Sequence, residues 1–280
     1  MNTDGKIVWL ASYPKSGNTW LRFLLGFALG LSDEDEDAFS PVSGISSSRH
    51  YFDSVLALDT HELTRNEIDR ARPGVYGFLH QHAQSLQFVK AHDRYRVLPD
   101  GRAIFPARCS RAAIYIVRNP LDVAVSYAHH LSNEDHADVV DAMSTPNRII
   151  GGGTKEQIEQ DLGDWSGHFR SWTLQGKIPV LVIRYEDMKE NTELELRRIF
   201  RFLEISEDAF AMPLSQAVEK ADFTRLQELE RERGFAEKPV RARSFFRSGR
   251  VGDGCRVLPA ELIARIVDEH GEVMRELGYS

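Results

Sequence analysis

Cysteine is scarce in this chain. Cys109 and Cys255 are the two among 280 residues, and they form neither a CxxC pair nor a spaced framework. That argues against a disulfide scaffold and a structural zinc, and fits a reducing compartment. Positive charge is in deficit as well: 35 Lys and Arg stand against 42 Asp and Glu, a net charge of −7. A general affinity for nucleic acid is not expected from that balance, although a local basic pocket is compatible with it. Long hydrophobic runs are missing too. The longest apolar segment, residues 20–29, is too short to span a bilayer and carries Arg22. No basic region followed by an apolar stretch opens the chain, and neither an internal repeat nor a domain linker is visible. These absences set the expectation of a cytoplasmic protein without a membrane partner, built as one domain over 1–280.

What is present is enough for a real core, with 42% hydrophobic residues. Short β-rich runs alternate with helical patterns, which predicts an α/β fold with a central parallel sheet flanked by helices. The clearest strands are residues 7–10, 87–90, 112–117 and 180–183, the second and third placed beside the first. Asn119-Pro120 starts a helix that runs to His130, with proline at its permitted first position. Residues 191–203 and 259–277 read as amphipathic helices. Leu262, Ile263, Ile266, Val267, Val273, Met274 and Leu277 form the apolar face of the latter. Three segments read as surface insertions: an acidic run at 33–37 with a serine-rich stretch at 40–48, the polar residues 131–164 with Gly151-Gly-Gly153, and the charged residues 231–243. Each is either solvated loop or substrate lid.

The most telling stretch is Trp9-Leu-Ala-Ser-Tyr-Pro-Lys-Ser-Gly-Asn-Thr-Trp20. A short apolar strand breaks at Ser12-Tyr-Pro14, passes through the loop Lys15-Ser-Gly-Asn-Thr19 and enters an apolar helix at Trp20. Loop N–H groups, a helix N-terminus and a lysine then point at one spot, which suits a phosphate or sulfate-like anion. A Walker A loop has its lysine after the glycine, whereas Lys15 precedes Gly17. A second stretch, Ile114-Tyr-Ile-Val-Arg-Asn-Pro-Leu-Asp-Val-Ala-Val-Ser126, puts Arg118 at a strand end and Ser126 about two turns along a helix. Both can face one phosphate, although alone they read equally well as a strand-end arginine and a packed helix serine.

Together these stretches resemble the sulfotransferases that use 3′-phosphoadenosine 5′-phosphosulfate (PAPS). The loop Lys15, Ser16, Gly17, Asn18 and Thr19 is similar to that family's 5′-phosphosulfate loop. Arg118 and Ser126 match its 3′-phosphate motif, R-N-P-x-D-x-x-x-S. Arg247-Ser-Gly-Arg-Val-Gly-Asp-Gly254 resembles its late R-x-G-x-x-G-D-W segment, which implies that Arg247, Ser248 and Gly249 close over the 3′-phosphate. The chain departs from the pattern at Gly254, where tryptophan is usual, and at Ser248, where lysine is common. Tyr185, in Arg184-Tyr-Glu-Asp, matches a tyrosine near the adenine. Phe223 matches an aromatic that sandwiches the adenine against Trp20, with Ala221 where Thr or Ser is frequent. Phe88-Val-Lys-Ala-His92 resembles the K-T-H segment, whose histidine is the general base.

The resemblance therefore implies catalysis by His92, Lys15 and Lys90. His92 would take the acceptor's proton, since histidines titrate near neutrality. Lys15 would offset charge on the leaving bisphosphate, and Lys90 would face the sulfuryl oxygens. His129 and His130 are candidates for the acceptor pocket. The resemblance covers residues 7 to about 254. It places the nucleotide core at about 7–30, 86–130 and 178–254, and acceptor contacts in loops 31–85 and 131–175. It implies a P-loop-like three-layer fold, PAPS as donor with adenosine 3′,5′-bisphosphate (PAP) as product, and no metal. A small-molecule acceptor is expected, a phenol, an alcohol or a natural-product scaffold, in a bacterial enzyme of secondary metabolism. Oligomeric state is left open. The alternatives are a P-loop kinase, and a non-catalytic nucleotide-binding relative. The kinase would need Mg²⁺, a lysine after the loop glycine and an acid ending a neighbouring strand. The presence of Lys15 and His92 together argues against the non-catalytic reading, since binding alone does not need a base.

Overall fold

The computed structural model describes residues 4–32, 44–133, 135–152, 156–235, 237–238 and 244–279. The acidic run at 33–37, residues 40–43 of the serine-rich stretch, Gly153, and residues 236 and 239–243 of the charged segment lie outside the described residues. The elements begin with β1 (Ile7–Ser12), α1 (Asn18–Leu29), β2 (Gly44–Ile45), α2 (Arg49–Leu56), α3 (Arg65–His82), β3 (Gln87–Ala91) and β4 (Ser110–Val117). Then come α4 (Pro120–Leu131), α5 (His136–Met143), β5 (Ile149–Ile150), β6 (Gln160–Asp161), α6 (Trp165–Thr173), β7 (Val180–Arg184) and α7 (Tyr185–Glu190). The chain closes with α8 (Thr192–Leu203), α9 (Leu214–Lys220), α10 (Phe223–Arg233), α11 (Asp253–Val257) and α12 (Ala260–Glu276).

The architecture is α/β, built on a parallel sheet in the order β2-β3-β1-β4-β7. As the sequence predicts, β3 and β4 flank β1. All six residues of β1 are buried, the pattern of a central parallel strand covered on both faces. The register pairs Ile7 with Gln87 and Ala11 with Ala91, so β1 and β3 end side by side.

The chain divides into two compact units. The first comprises Met1–Tyr13, Ser43–Tyr115 and Thr145–Val182, and holds the sheet except for the last residues of β4 and β7. At its centre Trp9 packs against Tyr76 and Phe105, and its indole N–H donates to Ser110 Oγ at 2.7 Å, so a buried ring carries no unpaired donor. Trp172, from α6, packs on Phe105. A buried ionic group lies beside these rings: Arg72 bonds Asp69 and Asp93, each at 3.0 Å.

The second unit comprises Pro14–Val42, Ile116–Ser144 and Ile183–Ser280. Phe23, Phe235, Phe245 and Phe246 cluster there, and Arg22 is buried in an ion pair with Glu237. Local signals account for the helix starts. Asn119 Oδ1 accepts the Leu121 N–H ahead of Pro120, and Asn191 caps α8 in the same way.

Several expectations need correction. The helix after the anion loop begins at Asn18, not Trp20, because Asn18 and Thr19 already form its first turn. The supposed surface insertions are partly interior. Ser46 and Ser47 are buried beside β2, which pairs with β3. Residues 131–164 contain α5, whose Val139, Val140 and Met143 are buried as it packs on α4 and α12. Residues 231–233 end α10. On α12, Val267 is exposed and His270 is buried instead. The interior face follows Ile266, His270, Val273 and Met274 at helical spacing, and Val267 lies one step off it.

Candidate functional site

The anion loop lies in the second unit and is held in a backbone shape that few residues tolerate. Lys15 has φ 68°, a left-handed conformation that an ordinary side chain adopts only under constraint. Gly17 has φ 103°, and a Cβ there would lie 2.5 Å from Cδ2 of Tyr185, so backbone and space both require glycine. Gly17 is the N-cap of α1 and supplies no side-chain cap, and no acidic residue occupies the first turn. A helix start with neither a capping side chain nor an acidic first turn turns the positive end of its dipole toward an anion. Ser16 is 1% exposed, yet its Oγ has no hydrogen-bond partner among the described residues. Asn18 and Thr19, the first two residues of α1, are buried.

Arg118 joins this loop to two other segments. Its Nη1 donates to the Lys15 carbonyl at 3.4 Å and its Nη2 to the Arg250 carbonyl at 2.8 Å. Its guanidinium lies 4.4 Å from the centroid of the Tyr185 ring. Its Nε is buried without a partner among the described residues, a second donor left over beside the loop. Asp122, four residues on, accepts from Gly252 N–H at 2.9 Å and Gly254 N–H at 2.7 Å, and thereby pins the late glycine loop to the start of α4. Gly254 explains its own departure from the family pattern: a Cβ would sit 2.5 Å from Leu121 Cβ, so a tryptophan has no room. Ser126 is half-buried on α4, about two turns beyond Arg118.

The residues expected around the adenine also meet. Tyr185 donates its O–H to the Gly249 carbonyl at 2.9 Å, and burial pushes its pKa up to about 12, so the donor proton stays in place. Gly249 has φ 60°, and a Cβ there would approach Phe223 Cδ2 to 2.7 Å. Trp20 sits edge-on to Tyr185, with ring centroids 5.9 Å apart, and donates its indole N–H to the Ala221 carbonyl at 2.9 Å. Arg247 is engaged within its own loop: its Nη2 and Ser248 Oγ both reach Asp253 Oδ2, at 2.9 and 2.8 Å. Burial alone would raise the Asp253 carboxyl, but the bonds from Ser248 and Arg256 and the charge of Arg247 hold it below the usual carboxylate range. Helix α10 braces this loop through Gln227, which donates to the Phe246 and Arg247 carbonyls, and Glu230, which accepts from the N–H groups of Phe245 and Phe246.

Lys15 Nζ lies 3.3 Å from His130 Nδ1 and 4.4 Å from the centroid of the Phe245 ring. His129 precedes His130 on α4, and both are half-buried.

Lys90 and His92 belong to the first unit, at the carboxyl end of β3. Lys90 is half-buried, and its carbonyl accepts from Ser46 N–H at 2.8 Å. His92 Nδ1 lies 2.8 Å from the Ser12 carbonyl oxygen. A carbonyl only accepts, so that contact assigns the proton to Nδ1 and makes Nε2 the basic nitrogen. The nucleotide residues thus collect in one unit and the K-x-H pair in the other. The reading of the sequence missed Asp122 and Asp253 as working residues, although both stand inside the quoted motifs. It also missed His168, whose Nε2 lies 2.9 Å from the His92 carbonyl oxygen. One histidine among ten carried no signal for that role.

Comparison with known proteins covers the same ground. The family model described as "Sulfotransferase domain" matches residues 6–278. Flavonol 3-sulfotransferase of Flaveria bidentis is 27% identical over an alignment of 276 positions that covers 92% of this chain and 78% of that protein. Cytosolic sulfotransferase 12 of Arabidopsis thaliana is 30% identical over an alignment of 283 positions that covers 95% of this chain and 76% of that protein. A crystal structure of a mouse sulfotransferase complexed with PAP aligns with TM-score 0.59 and 21% identity, over 97% of this chain and 85% of that one, a likeness of fold. The family match runs from the residue before β1 to beyond α12 and leaves no described element outside it, so this chain belongs to the sulfotransferase family.

Proposed function

We propose that this protein transfers the sulfuryl group of PAPS to a hydroxyl, or an amine, of a small-molecule acceptor. The observation that carries the reading is the start of α1, which has no side-chain cap, with two buried donors that have no partner among the described residues, the Ser16 hydroxyl and Arg118 Nε, beside the Lys15 loop. Those groups fit a doubly anionic nucleotide. Residues 15–19 would hold the 5′-phosphosulfate, Arg118, Ser126, Arg247, Ser248 and Gly249 the 3′-phosphate, and Trp20, Tyr185 and Phe223 the adenine. The donor, once bound, supplies an activated sulfuryl group on a bisphosphate leaving group. His92 takes the acceptor's proton at Nε2, an assignment supported by its Nδ1 bond to Ser12. Lys15 would offset the charge on the leaving bisphosphate, and Lys90 would add positive charge around the sulfuryl oxygens.

The family match over 6–278 supports one sulfotransferase domain over 1–280. The flavonol enzyme among the relatives supports a phenolic acceptor, with alcohols and other natural-product scaffolds next, in the loops 31–85 and 131–175. No described helix is long and apolar enough to cross a membrane. The relative named as cytosolic supports a cytoplasmic site of action.

Calorimetric titration of the purified protein with PAP, AMP and ATP, without metal, tests the reading. Micromolar or tighter binding of PAP with far weaker AMP and ATP is the expected result. A preference for ATP with Mg²⁺ overturns it.

A further inference from the structure

His92 is held from two sides within the first unit. Its ring is fixed by the Nδ1 bond to the Ser12 carbonyl, and its own carbonyl oxygen receives His168 Nε2 at 2.9 Å. His168 lies on α6, is fully buried, and contacts Tyr115 Oη through Nδ1 at 2.8 Å. The Tyr13 ring meets it edge-on, with centroids 5.6 Å apart. The next peptide is anchored as well. Asp93 Oδ1 accepts from Asp161 N–H at 2.8 Å, its carbonyl accepts from Trp172 Nε1 at 3.0 Å, and its Oδ2 bonds Arg72 at 3.0 Å.

We infer that His168 is a positioning residue for His92: a Tyr115–His168 pair that fixes the His92 carbonyl, and through it the orientation of the imidazole toward Ser12. The inference rests on the proposed role of His92 as base. The hydrogen-bond chain has one consistent direction. The His92 carbonyl only accepts, so His168 Nε2 carries the proton and Nδ1 accepts the Tyr115 hydroxyl. Burial keeps both partners neutral, lowering the pKa of His168 to about 4 and raising that of Tyr115. A neutral imidazole with a fixed tautomer is a rigid donor, and a rigid donor on the base's own peptide limits how far its ring can wander. Misplacement of a catalytic group by about 1 Å is enough to cost on the order of a hundredfold in rate.

The test compares wild type with His168→Phe, which keeps a buried ring without a donor, His168→Gln, whose amide can still donate, and Tyr115→Phe, a milder change if His168→Phe does not fold. Long-range ¹H–¹⁵N spectra of imidazole-labelled protein, with His92→Gln to assign the signal, read the His92 tautomer directly and need no acceptor. Wild type should show the Nδ1-protonated form. His168→Phe should mix the tautomers, Tyr115→Phe should do so in part, and His168→Gln should restore the wild-type pattern. In parallel, PAPS turnover is measured with 4-nitrophenol, 2-naphthol and a flavonol. His168→Phe should lower kcat at least about tenfold with KM for PAPS unchanged. An unchanged His92 tautomer in the folded His168→Phe and Tyr115→Phe variants overturns the inference. Full turnover by His92→Ala overturns instead the reading on which it rests. If wild type sulfates none of the three probes, the spectra still decide the inference.

Discussion

Gly17 and His168 are positions where one residue decides more than its own packing. At Gly17 a methyl group would meet the Tyr185 ring at 2.5 Å while forcing an alanine to φ 103°. Strain of that kind costs about 1–3 kcal/mol. Gly17→Ala should therefore lower Tm and weaken PAP binding together, because the displaced ring is the one that holds Gly249. A variant with unchanged melting and unchanged PAP affinity would show the loop to be more forgiving than its backbone suggests. His168 makes a different claim. Its folded pKa of about 4 lies below the ordinary 6.5, so between those values the unfolded chain binds a proton that the folded chain refuses. Stability then falls as pH drops through that window, by up to about 3 kcal/mol, and the loss is absent above it. Denaturant titrations from pH 7 to 4 should show a shallower decline for His168→Gln than for wild type. Parallel curves would contradict a buried neutral imidazole.

Between single residues and the whole chain stand elements whose ends carry the chemistry. Helix α4 starts with Asp122 holding two glycine N–H groups of the late loop, so a helix start and a distant loop act as one body. Asp122→Asn keeps the shape but can accept fewer donors, leaving one buried N–H unpaired at a cost of about 1–3 kcal/mol. PAP affinity should drop more than stability does, as calorimetric titration beside thermal melting would show. Equal losses in both would mean that Asp122 is a fold residue alone. In the first unit, Arg72 on α3 balances Asp69 and Asp93 in the interior. Removing one partner of a buried ionic group leaves uncompensated charge, which costs about 3–5 kcal/mol. Arg72→Ala should lose that much by urea denaturation, and Asp93, next to His92, makes turnover a second readout. Legibility in the sequence followed the same division. The strand at residues 7–10 and the helix from Pro120 were visible because apolar runs and capping residues are local. The buried helix α5 hid in a polar stretch because three apolar residues among charged ones become an interior face only when another helix covers them.

For the molecule as a whole, ligand and fold are coupled by mass action. PAP at a hundredfold excess over its Kd should add about 2.7 kcal/mol to stability. Hydrogen exchange should slow at residues 15–20 and 247–253, both in the second unit. Thermal melts that ignore PAP, with exchange unaltered at those segments, would argue against the proposed site. The sequence alone determined the α/β class and the strands that flank β1, and its resemblance to the sulfotransferases set the expectation that Lys15, Ser16, Gly17, Arg118 and the late glycine loop serve one anion. The class rests on how β-rich runs and helical patterns alternate along the chain, and the expected anion site on motif spacing shared with the family. Tertiary structure alone decided that Arg118 grips Lys15 and Arg250, that Asp122 pins the late loop, that Gly254 has no room for an indole, and that His92 is braced by His168. Those contacts join residues between 76 and 133 positions apart. Nothing local marks such a pair, because a hydrogen bond between distant segments is set by how elements pack, not by what their neighbours in sequence are.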